Sequence, residues 1–325
     1  MLAAAGLGSL CLEAGPAVHQ GGAPRHQLQR GPPPLRALSP AAATFAAGER
    51  RVELIVSDVD GTLLNSQQQL TPSTRAALAA AAECGVPLVV ATGKAMGPWT
   101  HDVLPHLGSR LPQIYLQGLL ISCHQEGILY SRQLEERIIL EAIEFAEQHG
   151  LTLTAYCGDR VVCRQTNEQS DRLIWYKEPT PESIGPLEPH VGRLPIFKLI
   201  LMESTHRIVE LRPQVESLFA GRASLTTAIP GMLEVLPLGA SKGAGVAWLL
   251  DRLGVDPSAV LALGDGENDV EMLQLAGLGV AMGNAGPPAL AAADAITASN
   301  NEDGVARAVE RFVLAPRGVA APALA

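Results

Sequence analysis

Leu54-Ile-Val-Ser-Asp58-Val-Asp60-Gly-Thr-Leu63 is the stretch from which the rest of the chain is read. Its opening residues are apolar and partly branched at Cβ, the composition of a short buried strand. The run breaks at Asp58, Asp60 and Gly61. In an open α/β sheet, ligands lie just beyond the carboxyl ends of the strands, so these two carboxylates are expected at such a tip. Two acids one residue apart suit a metal ion and a phosphate together when a glycine follows that lets backbone N–H groups turn toward an anion. Taken alone, the same letters also fit an Asp-Gly turn after an ordinary strand.

The 325 residues are enough for one large or two medium domains with a full core. A hydrophobic fraction of 47% with 18% charged residues is that of a globular chain rather than a disordered one. The formal net charge of -9 argues against a nucleic-acid partner, which calls for a basic face. Five cysteines (Cys11, Cys84, Cys123, Cys157, Cys163) form no C-x-x-C pair and read as reduced, apolar side chains. No apolar stretch is long and charge-free enough to cross a bilayer, so no membrane partner is expected. Residues 1–48 differ from everything after them. They are rich in Ala, Gly and Pro, hold the single acid Glu13, and carry Arg25, Arg30 and Arg36. An acid-poor, arginine-bearing leader predicts an organelle transit peptide processed near residues 38–45. That places the mature protein in a chloroplast or other organelle. A secretory signal, or a disordered tail on a cytoplasmic protein, is the alternative.

Downstream of the first strand, Thr71 and Pro72 offer an N-cap and a first-turn proline for a helix over 70–84, ended by Gly85. Residues 86–92 then predict a second buried strand, giving a right-handed βαβ unit with Thr92-Gly93-Lys94 at its tip. Residues 113–116 predict a third short strand. From about residue 121 the pattern changes. Strand-like pieces at 127–131, 151–156, 160–164 and 197–202 alternate with helical ones at 134–149 and 207–219, with a proline-rich turn over 178–189. This reads as a separate α/β domain inserted into the first and closing with strands at 224–228 and 232–236. Trp175 and Tyr176 within it read as packing or helix-surface cover, with a substrate-facing role as the alternative. Lys242 stands in the first turn of a helix running to residue 253, where the helix dipole disfavours a cation, a hint that it serves an anion. On its own, a solvated surface lysine is the simpler explanation. Residues 260–263 predict another buried strand, ended by Gly264-Asp265-Gly266-Glu267-Asn268-Asp269. Asp265 and Asp269, four positions apart, share a face if a helix begins there. Strands at 278–282 and 295–297 and an amphipathic helix to residue 312 complete the domain. Residues beyond 315 read as an untethered tail.

The tips of one parallel sheet therefore present Asp58 and Asp60, Thr92, Lys242, and Asp265 with Asn268 and Asp269. Together they supply what phosphoryl transfer needs: a carboxylate nucleophile, hard oxygen ligands for Mg²⁺, and donors for the equatorial oxygens. These motifs resemble those of the haloacid dehalogenase (HAD) superfamily: Asp58-Val-Asp60-Gly-Thr-Leu, Thr92-Gly93, Lys242-Gly243 and Gly264-Asp265-Gly-Glu-Asn268-Asp269. The resemblance covers about residues 52–312. Only 34 residues separate Asp58 from Thr92, too few for a helical cap domain, whereas 150 separate Thr92 from Lys242. That longer interval holds one strand and a whole α/β cap, and the insertion point is similar to that of the Cof-type, or C2-capped, hydrolases. The stretches from Met232 to Gly243 and from Asn301 to Ala306 add to the match. Gln117-Gly-Leu-Leu resembles the HAD-like domain of plant chloroplast proteins, one of which also carries an endoribonuclease domain; only the phosphatase-like part is implied here.

The resemblance implies a three-layer α/β/α Rossmann-like core with a parallel sheet, plus an inserted α/β C2-type cap. Residues 50–120 and 236–315 would form the core and 121–235 the cap. It also implies that Asp58 attacks phosphorus and forms an aspartyl phosphate, while Asp60 protonates the leaving oxygen and then activates water. Asp58, Asp265 and the Asp60 main-chain carbonyl would bind Mg²⁺. Thr92, Gly93, Lys242 and Asn268 would hold the phosphoryl oxygens, and Asp269 would orient Lys242 or a metal-bound water. The second acid, Asp60, favours phosphate over halide chemistry. Lys94 departs from the pattern, since many relatives carry arginine there. The expected activity is Mg²⁺-dependent hydrolysis of a small phosphorylated metabolite, a sugar phosphate or a flavin-precursor or other cofactor phosphate, by a monomer or homodimer. A C2-capped phosphomutase or phosphotransferase, and a non-catalytic binding role on the same scaffold, are the alternatives.

Overall fold

The structure is a computed structural model and describes residues 51–322. The leader expected over residues 1–48 lies outside the described residues. Strand β1 (Leu54–Ser57), helix α1 (Pro72–Glu83) and strand β2 (Leu88–Val90) form the expected βαβ unit. Thr71 caps α1 by accepting the Thr74 N–H at 3.2 Å, and Pro72 occupies the first turn. Helix α2 (Pro98–Val103) leads to β3 (Gln113–Tyr115), β4 (Leu120–Cys123) and β5 (Gly127–Ser131). The inserted region continues with α3 (Glu136–His149), β6 (Thr152–Tyr156), β7 (Val161–Cys163), α4 (Glu168–Trp175), β8 (Glu182–Ser183), β9 (Lys198–Met202), α5 (Thr205–Leu218), β10 (Ala223–Ile229) and β11 (Met232–Pro237). The chain then returns through α6 (Lys242–Leu253), β12 (Val260–Gly264), α7 (Val270–Leu275), β13 (Leu278–Ala281), α8 (Pro287–Ala292), β14 (Ala295–Ile296) and α9 (Gly304–Val309).

The core sheet runs β14-β13-β12-β1-β2, and every pairing in it is parallel. Side chains alternate across a strand, so β1 feeds two hydrophobic layers. Ile55 packs with Ala77 and Leu78 of α1 and Val305 and Val309 of α9. Leu54 and Val56 pack on the opposite face with Val246 and Leu249 of α6 and Leu273 of α7. Burial on both faces explains why β1 reads as a continuous apolar run rather than an alternating one.

The six-stranded sheet of the inserted region has the order β10-β11-β9-β6-β7-β8. One of its faces, with Leu199, Leu201, Leu233 and Val235, is covered by α3 and α5. The other carries Tyr156, Ile200, Met232 and Leu236 and belongs to the cluster that continues into the core domain.

Three local features differ from the sequence reading. Strand β4 pairs antiparallel with both β3 and β5 in a separate three-stranded sheet of order β3-β4-β5, which does not join the six-stranded one. Helix α4 has no apolar stripe to announce it; its buried residues are Ser170 and Leu173, and it is started by a capping box between Asn167 and Ser170. Residues just beyond 315 are tethered. Arg317 donates to the carbonyls of Val313 at 2.9 Å and of Val52, and the Val319 N–H donates to the Leu314 carbonyl at 3.1 Å. Among the described residues, no helix is long and apolar enough to cross a membrane.

Candidate active site

Strand ends and one helix start meet at the carboxyl edge of the parallel sheet. The Asp58 N–H donates to the Leu263 carbonyl at 3.0 Å, extending the ladder between β1 and β12 by one residue. Asp265 directly follows β12, so the two acids stand at neighbouring tips. Gly61 has a φ of 78°, and a Cβ at this position would overlap the Asp265 carboxylate. Glycine therefore permits both the turn and the close approach. The Thr62 hydroxyl donates to Asp265 Oδ1 at 2.8 Å.

Lys242 reaches the same point from the start of α6 rather than from a sheet tip. Ser241 caps that helix, its side chain accepting the Ala244 N–H at 3.0 Å. The lysine is fully buried, with Nζ 2.6 Å from Asp58 Oδ1 and 2.7 Å from Asp269 Oδ1. The other Asp269 oxygen accepts the N–H groups of Asp265 and Gly266, both at 2.9 Å. With both oxygens engaged, Asp269 fixes Lys242 and the loop that carries Asp265.

Asp58, Asp265 and Asp269 offer ligand atoms within 4.8 Å of one another. Burial pushes the Asp58 carboxyl well above the usual carboxylate range; Asp269 adds to this and Lys242 offsets part of it. Asp265 is pushed up to about 7, by burial first and then by Asp269. Burial pulls Lys242 down, but Asp269 and Asp58 together hold it above its ordinary value. Three crowded carboxylates around one ammonium leave an excess of negative charge. An all-oxygen, anionic donor set of this kind suits a hard divalent cation.

Asp60 lies outside this cluster. Its carboxylate turns to Lys94, whose Nζ is 3.1 Å away and also donates to the Tyr176 carbonyl. Buried Thr92 accepts the Lys94 N–H at 3.1 Å through Oγ1. Asn268 Nδ2 donates to Gln117 Oε1 at 3.2 Å. The fold thus brings Asp58, Asp60, Thr92, Gly93, Asp265 and Asn268 to one cleft, with Lys242 and Asp269 buried beside Asp58.

A family profile described as haloacid dehalogenase-like hydrolase matches residues 55–309, which contain all of these residues. The chain belongs to the haloacid dehalogenase-like hydrolases. This hydrolase is 36% identical over 269 residues to a chloroplast endoribonuclease of Arabidopsis thaliana, an alignment that takes in 79% of this chain and 46% of the plant protein. The chain therefore spans about half the length of that relative. It is 30% identical to the 5-amino-6-(5-phospho-D-ribitylamino)uracil phosphatase of Bacillus subtilis, over 81% of this chain and 96% of the relative. Among solved structures, a haloacid dehalogenase-like hydrolase from Bacteroides thetaiotaomicron superposes with a TM-score of 0.71 at 28% identity, covering 80% of this chain and 99% of that one.

The second wall of the cleft in this hydrolase comes from the cap, and the sequence reading found little of it. Tyr176 lines the cleft, whereas Trp175 is 63% exposed. Lys198 and Glu234 are both buried and paired at 2.6 Å. They lie on antiparallel neighbours: Glu234 stands opposite Ile200, two residues from Lys198, so the pair is diagonal on the cleft face. Glu178 is buried too, accepting the Ala95 N–H at 3.0 Å and the Tyr156 hydroxyl at 3.4 Å. The available cue was a lone charged residue in an otherwise apolar strand, as in Met232-Leu-Glu234-Val-Leu.

Proposed function

We propose that this hydrolase is a Mg²⁺-dependent phosphatase of small phosphorylated metabolites, working through an aspartyl phosphate on Asp58. The observation that carries the reading is the gathering of Asp58, Asp265 and Asp269 within 4.8 Å, with Lys242 bridging Asp58 and Asp269. Asp58, Asp265 and the Asp60 main-chain carbonyl would hold the ion. When bound, the ion offsets charge on the phosphoryl oxygens in the transition state.

The chain's own groups account for the rest. Asp58 attacks phosphorus as the bond to the leaving oxygen breaks, and Asp60 gives that oxygen its proton. Asp60 then takes a proton from water as the water attacks the aspartyl phosphate, which releases inorganic phosphate, frees the Asp58 carboxylate and returns Asp60 to its protonated form. Thr92, Gly93, Lys242 and Asn268 bind the equatorial oxygens, and Asp269 orients Lys242. Lys94, 3.1 Å from Asp60, keeps that carboxylate at the cleft.

A sugar phosphate or flavin-precursor phosphate suits the cleft, whose cap wall offers Tyr176 to the organic part of the substrate. The name of the Bacillus subtilis relative, a flavin-precursor phosphatase by its substrate, supports the second class. An organelle location, plastid first, is supported by the arginine-bearing leader and by the chloroplast label of the Arabidopsis relative. Assay of phosphate release from a panel of phosphorylated metabolites tests the activity. Release is expected with Mg²⁺, is lost with EDTA, and is lost in Asp58→Asn. Turnover that ignores EDTA, or survives Asp58→Asn, overturns the reading.

A further inference from the structure

Lys198 and Glu234 are absent from the chemistry above, yet they are among the most completely buried charged side chains of the molecule. Each reaches past its partner to the core domain. Lys198 Nζ donates to the Gly93 carbonyl at 2.8 Å as well as to Glu234 Oε2 at 2.6 Å. The other Glu234 oxygen accepts Gln117 Nε2 at 2.9 Å. Gln117 in turn accepts Asn268 Nδ2 at 3.2 Å, and its N–H donates to the Thr92 carbonyl at 3.0 Å. Gln117 is fully buried with a φ of 59°, a left-handed conformation that a non-glycine residue holds only when its surroundings fix it. A Cβ at Gly93 would overlap the Gln117 amide, so this glycine lets the two loops touch.

We propose that Lys198 and Glu234 are positioning residues that tie the cap to both phosphate-side loops, Lys198 through the Gly93 carbonyl and Glu234 through Gln117 to Asn268. This rests on the phosphatase reading only in calling those loops phosphate-side; the ties themselves are hydrogen bonds between named atoms. A buried ion pair whose remaining valences are filled by such bonds is costly to break and directional, which suits it to setting loop geometry. The cap then does more than cover the cleft. With the cap seated, Gly93 and Asn268 are held in register with each other across a single chain of bonds.

The test uses the full chain with Mg²⁺, Lys198→Met and Glu234→Gln, and inorganic phosphate as the probe because it has no leaving group to touch the cap. Hydrogen exchange at residues 92–95 and 266–269 is expected to rise about tenfold in either variant, and phosphate to bind about tenfold more weakly, the loss of one charge-assisted hydrogen bond. Lys198→Arg, which keeps a cation within reach of Glu234, is expected to restore most of the phosphate affinity. The double variant is expected to be no weaker than Lys198→Met, since the two groups act through each other. If Lys198→Met does not fold, the near-isosteric Glu234→Gln gives the same two readings. Unchanged exchange in both loops overturns the proposal, and so does raised exchange with unchanged phosphate affinity. If the unsubstituted chain takes up no phosphate while exchange still rises in the variants, the ties stand and the phosphatase reading falls.

Discussion

The two walls of the cleft carry the same kinds of group in different proportion. On the core wall, Asp58, Asp265 and Asp269 crowd around the single ammonium of Lys242. On the cap wall, Lys198 and Glu234 neutralise each other at 2.6 Å. The difference separates two uses of buried charge. Burial, and after it the neighbouring acid Asp269, holds Asp58 and Asp265 above the ordinary carboxylate range, and a site so short of positive charge favours an incoming cation. A balanced pair needs no cation, and its spare hydrogen bonds reach the Gly93 carbonyl and the Gln117 amide. The core wall is built to react and the cap wall to hold.

Removing the proposed nucleophile breaks the comparison most sharply. Asp58→Asn is expected to lower kcat by on the order of 10⁴-fold or more while the fold persists, read by phosphate release beside a thermal melt. Lys242→Met comes next. It leaves Asp58 and Asp269 buried without their cation, and urea unfolding in EDTA should show a loss of about 3–5 kcal/mol. Added Mg²⁺ should recover part of that loss, because the ion takes over some of the neutralisation.

The cap wall gives a smaller, pH-dependent effect. Burial raises the Glu178 carboxyl to about 7, and Lys94 and Lys198 offset only part of the rise. Between about 4.5 and 7 the folded protein keeps a proton on Glu178 that the unfolded chain has released. Stability from this group is therefore complete below about 4.5 and is lost as pH rises through about 7. Glu178→Gln should flatten that part of the stability–pH curve, measured by urea unfolding at a series of pH values. A slope unchanged by the substitution would assign the pH dependence elsewhere.

The smallest effect belongs to the rim. Arg212 of α5 makes two bonds to Glu267, at 2.6 and 2.9 Å, and joins the cap to the loop that carries Asp265. The side chains are 29% and 34% exposed, so Arg212→Ala should cost about 0.2–1 kcal/mol and the cost should shrink in high salt.

The core wall was legible in the sequence because its residues follow short buried strands that end abruptly in Asp, Gly and Asn. Leu54–Ser57 and Val260–Gly264 are buried on both faces, and that burial writes itself as an unbroken apolar run. The cap wall was not legible. Lys198 and Glu234 sit within strands whose every residue is buried, and which charge meets which depends on antiparallel register between segments far apart in sequence. In the sequence Gln117 reads as no more than the end of a short strand and part of a family resemblance. Its contacts with Glu234 and Asn268 arise from a left-handed backbone that its amino-acid type does not advertise. The separate sheet β3-β4-β5 is illegible for a similar reason, since alternation within a strand does not say which sheet it joins.

Calorimetric titration of the full chain with Mg²⁺, repeated on Asp265→Asn, tests most directly whether the acids at two distant points of the sequence serve one ion. One ion per chain is expected in the unsubstituted protein, with binding lost or at least tenfold weaker in the variant. Equal binding in both proteins, or none in either, would contradict the account.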